Sequence, residues 1–190
     1  MKDIMTNKIQ KKTIDIPTVE YIEDKNIDRK TDYQVRHLLC TSFTGPKHWV
    51  YAQHRYFSVP YPRRWVMRNE KGQLIAHVGL HNKTLKTNST TYIAGGVGEV
   101  CVHPDYRGRG YIRIILKTVH NWMRKNKYSF SILWGADSVY QSSGYTRVDN
   151  IYKNGEVGSE PEKVASAMVK PISTEKWPTK SKVIMNGNTI

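Results

Sequence analysis

"CVHPDYRGRGYIRIIL", Cys101–Leu116, decides how this chain is read. A β-type run ends in His-Pro-Asp-Tyr, turns through Arg107-Gly108-Arg109-Gly110 and enters a helix with an apolar stripe. The start of a helix leaves several backbone N–H groups without partners at one point. The helix dipole adds partial positive charge there. Together these suit an anion such as a pyrophosphate. Gly108 and Gly110 remove side chains that would hold phosphate oxygens away, and Arg107, Arg109 and Arg113 add charge. No acid occurs between Asp105 and Asp137. The same residues could also form a tight connection with solvated arginines. The turn is neither a Walker A sequence nor G-x-G-x-x-G.

Outward from this turn, the charge is uneven. The chain of 190 residues carries a net charge of +14. Residues 31–130 hold 16 basic and 4 acidic groups, whereas 1–30 and 131–190 each hold 7 and 6. The field therefore favours anionic partners: nucleotide phosphates, nucleic acid or an acidic carrier protein. The length suits one domain with a substantial core. No segment approaches the ~20 apolar residues of a membrane helix, and the N-terminus has no apolar core of a secretory signal. Cys40 and Cys101 make no disulfide framework, and no Cys/His cluster has zinc-type spacing. The expectation is a cytoplasmic, metal-free protein with no membrane association: a polar tail over 1–16, then one domain over 17–190. A homodimer is left open.

The element reading starts with a short strand near Thr18–Ile22. Val35, Leu38, Leu39 and Phe43 follow helical spacing over 30–43, and Gly45-Pro46 stops that helix. Residues 48–64 are aromatic and broken by prolines, which suits a loop or short helix lining a cleft. "RWVMRNE", "QLIAHVGLHNKTL" and "YIAGGVGEVCVHP" read as three strands. Over 110–127, Ile112, Ile115, Leu116, Val119, Trp122 and Met123 form one helical stripe. "YSFSILWG" is a strand, "DSVYQSSGY" a short helix closed by Gly144, and "YTRVDNIY" one further strand. "ASAMVKPI" and "SKVIM" are β-type runs in the remainder.

"VGEVCVHPDYRGRGYIRIIL" followed by "VYQSSGY" resembles the GNAT superfamily of coenzyme A-dependent N-acetyltransferases. The family's pyrophosphate motif, Arg/Gln-x-x-Gly-x-Gly/Ala, falls on Arg107, Gly110 and Ile112, and Ile112 departs from it. Its later Tyr-x-x-x-Gly-Phe/Tyr element falls on Tyr140, Gly144 and Tyr145. The resemblance spans about 30–148 and implies an α/β fold: a mixed, mostly antiparallel central sheet flanked by helices, with a β-rich C-terminal extension over 149–190. The ending "KPISTEKWP…NG" is similar to those of some aminoglycoside acetyltransferases and of rhizobial NodA acyltransferases.

The resemblance also implies roles. Amides around Gly108, Arg109, Gly110, Tyr111, Ile112 and Arg113 would hold the pyrophosphate of acetyl-CoA. The backbone of Val100, Cys101 and Val102 would pair with the pantetheine arm like an added strand. Tyr140 would protonate the departing thiolate. For the base, strict alternation puts Glu99, Cys101 and His103 on one strand face. Glu99 is then the best-placed carboxylate, with a structural pairing to an arginine as the other reading; His77, His81 and His103 are further candidates. Asp137 is expected to cap the following helix. Cys101 with His103 offers a rival, an acyl-carrying nucleophile, although a buried structural cysteine is the commoner case. Trp49, Tyr51, Tyr56, Phe57 and Tyr61 are expected to divide between the acceptor pocket and the core edge.

The implied activity is transfer of an acetyl group from acetyl-CoA to a primary amine. Four acids over 31–130 are few for a polycationic acceptor, so an amino acid, an amino sugar or the aminoacyl end of a tRNA fits better. The alternatives are an acyl carrier protein as donor, and a basic module that binds or modifies nucleic acid.

Overall fold

The computed structural model describes residues 17–154 and 160–186, so the tail expected over 1–16 and the last residues lie outside it. The strands are β1 (Val19–Glu23), β2 (Arg63–Arg68), β3 (Leu74–Lys86), β4 (Thr91–Val102), β5 (Phe130–Trp134), β6 (Thr146–Arg147), β7 (Ile151–Lys153), β8 (Glu162–Lys163), β9 (Ala167–Pro171) and β10 (Val183–Asn186). The α-helices are α1 (Arg29–Ser42), α2 (Tyr111–Lys125) and α3 (Asp137–Tyr140), with short 3-10 turns at Asp24–Asn26, Pro46–Ala52, Pro104–Tyr106 and Gln141–Ser143.

All ten strands join one sheet in the order β6-β9-β5-β4-β3-β10-β7-β8, with β1 and β2 continuing from β3. Two pairings are parallel, β4 with β5 and β7 with β10; the other ladders are antiparallel. This is the mixed, mostly antiparallel sheet expected. The segment after 149 is woven into it, since β9 pairs with β5 and β10 with β3. "YTRVDNIY" does not form one strand. Its two halves, β6 and β7, pair with β9 and β10 at opposite ends of the strand order.

The helices cover opposite faces. In α1, the Asp28 side chain accepts from the Thr31 N–H at 2.7 Å and supplies the N-cap. Val35, Leu38 and Leu39 then pack on Val66, Leu74 and Cys101. α2 presents Ile115, Leu116, Val119 and Met123, all fully buried, to Trp65, Met67, Val78 and Val102. Each such side chain stabilises the fold by about 1.5–3 kcal/mol. Among the described residues, no helix is long and apolar enough to cross a membrane.

The decisive irregularity is in β4. Cys101 pairs with His77 and Gly98 with Gly79, so Glu99 and Val100 together face only Val78. This is a β-bulge. Glu99 is held at φ +49, a region that non-glycine residues seldom occupy. The bulge breaks the expected alternation. Val97 and Val102 pack on the α2 side while Cys101 packs under α1, and His103 lies beyond the strand.

Candidate active site

β4 and β5 pair only where Ala94–Gly96 face Phe130–Ile132. Beyond these residues the two strands part. The edge of β4 from Val97 to Val102 therefore carries unpaired backbone groups toward the gap, while its other edge stays bound to β3. One cavity lies at each end of this open edge.

The first cavity, about 710 Å³, is formed by Val102, the 106–113 turn, and Ser138, Val139 and Ser142 opposite. Gly110 is the N-cap of α2 at φ +75, and Gly108 stands at φ +76. A Cβ at either position would meet no protein atom within 4 Å. The left-handed backbone and the open space thus both favour glycine. The first intrahelical bond comes from Ile114 N–H to Gly110 O, 3.2 Å, which leaves the N–H groups of Tyr111, Ile112 and Arg113 for a ligand. The side chains of Arg107 and Arg109 brace the turn. Arg107 Nε donates to Val102 O at 3.2 Å, and Arg109 Nη2 donates to Asp105 O at 3.1 Å. These residues fit a diphosphate through backbone amides.

The second cavity, about 320 Å³, has aromatic walls from Phe43, His48, Tyr51, Phe57, Tyr61 and Trp134, with Lys47 on its lining and Glu99 the only acid among the described residues that line it. Trp49 stays out, 75% exposed, and Tyr56 packs on His54. Tyr51 and Tyr61 serve both wall and core edge.

Glu99 is buried there, and the bulge turns it into a polar network. Phe57 N–H donates to Glu99 Oε1 at 2.7 Å, and Arg64 Nη1 lies 3.4 Å from Oε2. Arg64 is fully buried and also donates from Nε to Asp24 at 2.8 Å. An arginine can only donate. The 2.9 Å contact between Arg64 Nη1 and His77 Nε2 therefore makes Nε2 the acceptor, and Nδ1–H donates to Glu99 O at 2.9 Å. Burial, followed by the Arg64 charge, pushes His77 down to about 3, so it is a neutral structural residue. His81 is pushed down to about 4 by burial and by Lys83. Burial raises Glu99 to about 7 against the opposing pull of Arg64 and the Phe57 amide.

Four other side chains had expected places. Tyr140 is buried beside Cys101 and against Gly135, where any side chain would collide with its ring, and it is not among the residues that line either cavity. Burial, then Cys101, raises its phenol to about 12. Cys101 is buried among apolar residues and burial pushes its thiol up to about 12. His103 Nδ1 accepts from Asp105 N–H at 3.3 Å and caps the turn. Asp137 does not cap α3, whose N-cap is Ala136 with no side-chain bond; it pairs with Arg147 instead.

Arg64 and Asp24 were missed from sequence. The available signal was an arginine alternating with Val66 in β2, whose two faces are both apolar. A charge at such a position requires acidic partners from elsewhere.

A strand edge opened by a bulge and a parting neighbour, ending at a glycine-capped helix, defines a coenzyme A-type acyltransferase. The sequence model of the acetyltransferase (GNAT) domain matches residues 25–148, and the chain belongs to this family. The fold is similar to the GNAT family N-acetyltransferase YhbS from Escherichia coli in complex with CoA: TM-score 0.60, 15% identity, 85% of each chain covered. It is also similar to a GNAT family acetyltransferase from Brucella melitensis in complex with acetyl-CoA: TM-score 0.57, 12% identity, covering 88% of this chain and 96% of that one. The chain spans only 33% of a conserved Enterococcus faecalis protein described as a probable N-acyltransferase and 34% of a GCN5-related N-acetyltransferase from Kribbella flavida, both similar in fold. At these identities the likeness concerns the fold. No curated protein matches the sequence.

Proposed function

We propose that the chain transfers an acetyl group from acetyl-CoA to a primary amine by direct attack within a ternary complex. The observation that carries this reading is the open β4 edge, with the glycine-capped cavity at one end and the Glu99 cavity at the other. A donor whose diphosphate rests on the Tyr111–Arg113 amides, and whose arm lies along Val100–Val102, delivers its far end beside Glu99. That end is a thioester, which supplies an activated carbonyl and a thiolate leaving group.

The amine arrives in the aromatic cavity. Glu99 in its ionised form, which burial makes a stronger base than an ordinary carboxylate, takes one proton from the nitrogen of the neutral amine as the C–N bond forms and passes it to solvent before the next turnover. The C–S bond breaks, and the sulfur leaves toward Tyr140. With a free thiol near about 8.5, full transfer from a phenol at about 12 is uphill. Tyr140 therefore hydrogen-bonds the developing thiolate, which takes its proton from solvent as it leaves. Cys101 carries no acyl group in this scheme, because its thiol stays protonated and His103 is occupied by its turn. With one acid in the cavity and Lys47 on its lining, the acceptor is a monoamine borne on an apolar or ring-shaped group rather than a polycation.

The test is thiol release from acetyl-CoA over an amine panel: phenethylamine, glucosamine, spermidine and kanamycin. The reading requires turnover with the first, weak or no turnover with the last two, and at least about 100-fold less with Glu99→Gln. Equal turnover of kanamycin and phenethylamine would refute the acceptor assignment.

A further inference from the structure

The aromatic segment between the 46–52 turn and β2 has little backbone support. Among the described residues, no backbone–backbone hydrogen bond involves 55–61. Yet this segment supplies Phe57 and Tyr61 to the second cavity, and the Phe57 N–H to Glu99. Side chains hold it instead. Its middle rests on His81, which bonds the Val59 backbone and packs on Tyr61 with ring centres 4.0 Å apart.

Its start is held by charge. Arg55 Nε and Nη2 donate to the two carboxylate oxygens of Asp24 at 2.9 and 2.6 Å, and Nη1 donates to Asp32 Oδ1 at 3.0 Å. Two parallel bonds to one carboxylate fix direction as well as distance. Asp24 lies in the 3-10 turn after β1 and Asp32 in the first turn of α1, so one guanidinium ties the segment to two separate elements. Asp24 also holds the far end, where its N–H donates to Pro62 O at 3.1 Å. Asp32 accepts in addition from Arg36 Nε at 2.8 Å, and Arg36 Nη1 donates to Ala52 O at 2.7 Å. The two carboxylates are only 13% and 26% exposed, so solvent screens these pairs weakly. Against burial, the arginine bonds keep both below the usual carboxylate range and ionised at neutral pH.

We propose that Arg55 is a positioning residue for the amine side of the reaction: its clamp on Asp24 and Asp32 lays the Phe57 N–H on Glu99 and so fixes where the base points. The inference rests on the acetyl-transfer reading above. Arg55 lines neither cavity, so it acts only through others. It stands two residues from Phe57, and slack at one is felt at the other. Asp24 also binds Arg64, whose Nη1 lies at the second oxygen of Glu99. Both oxygens of the base are thereby set by groups that converge on Asp24. Without the clamp the carboxylate loses its amide and Phe57 leaves the acceptor wall. The donor cavity shares no lining residue with this segment and keeps its shape.

NMR of the full chain tests the clamp without turnover. In Arg55→Ala the Phe57 amide should exchange at least about tenfold faster. The Glu99 carboxyl, carbon-13 labelled, should titrate above its wild-type value of about 7, because a hydrogen bond to the charged form is lost. The label separates Glu99 from the other groups that face it: Arg64 on β2, His77 on β3, Lys47, His48, Tyr51 and Tyr61 on the loop side, and Cys101 on β4. In the amine assay kcat/KM for the acceptor should fall at least about tenfold, and KM for acetyl-CoA should change less than about twofold. Arg55→Lys keeps the charge but not the fork and should recover no more than about threefold of that loss. In the Glu99→Gln background Arg55→Ala should cost less than about threefold more. Should Arg55→Ala misfold, Asp32→Ala, which spares the Asp24 fork, should show the same pattern at about threefold. Unchanged exchange at Phe57, full recovery by lysine, or equal losses on donor and acceptor would overturn the inference and leave the acetyl-transfer reading standing. Changes at Phe57 and Glu99 in a protein whose wild type turns over no amine would keep the clamp and overturn that reading.

Discussion

Glu99→Gln tests the site through stability as well as rate. Moving a carboxyl from 4.5 to about 7 corresponds to about 3 kcal/mol of preference for the neutral form. The folded value is raised, so this contribution is fully present below pH 4.5 and is lost as pH rises through about 7. Glutamine mimics the neutral form at every pH. Its oxygen keeps the Phe57 N–H bond, but its amide opposes Arg64 Nη1, which takes about 1–2 kcal/mol from the gain. The variant should therefore match or fall slightly below the wild type at pH 5. At pH 8.5 it should be more stable by about 1–2 kcal/mol, or roughly 2–8 °C in Tm. Its turnover should fall by about 10²–10⁴-fold. The limb near pH 7 in the wild-type rate profile should vanish, leaving only the ionisation of the amine. Thermal melts and kcat/KM profiles from pH 5 to 9 measure both effects. A variant no more stable than the wild type at pH 8.5, with turnover intact, would refute the reasoning.

Four further outcomes follow from the geometry. Tyr140→Phe should bind acetyl-CoA normally and lose up to about 10²-fold in kcat; an unchanged kcat removes the phenol from the chemistry. Cys101→Ser should keep most activity, because direct transfer needs no thiol, and near-complete loss in folded protein would restore the acyl-enzyme route. Gly110→Ala forces a side chain onto φ +75, at about 1–2 kcal/mol, and places a methyl in the donor cavity. Its KM for acetyl-CoA should rise about tenfold with a smaller change in kcat. Arg64→Met removes the cation that Asp24 and Glu99 share, although Asp24 keeps Arg55 and Glu99 can turn neutral, and should destabilise the fold by about 1–3 kcal/mol. Any residual activity should then have its pH limb moved above 7, the direction a lost positive charge imposes.

What the sequence disclosed was local. The α2 stripe, the glycines before it and the Gly45-Pro46 stop are written within a few turns of chain, and each stands where expected. The order of strands up to β5 follows from alternation and turns in the same way. The features that escaped join distant positions. That Glu99 pairs with an arginine was one of its two expected readings, but that the partners are Arg64 and Phe57, 35 and 42 residues away, and that Arg64 meets Asp24 across 40, was not. No periodicity encodes such meetings. The bulge at Glu99 was hidden too, because a glutamate at positive φ has no sequence signature and alternation assumes an unbroken ladder. Asp137 looked like a cap because acids favour helix starts, but Arg147, ten residues on, took the carboxylate.

The most direct measurement is a crystal structure with acetyl-CoA. The account predicts diphosphate oxygens on the N–H groups of Tyr111–Arg113 and pantetheine amides paired with the backbone of Val100–Val102. The thioester carbon should open toward Glu99. A donor bound elsewhere, with the β4 edge bare, would contradict it.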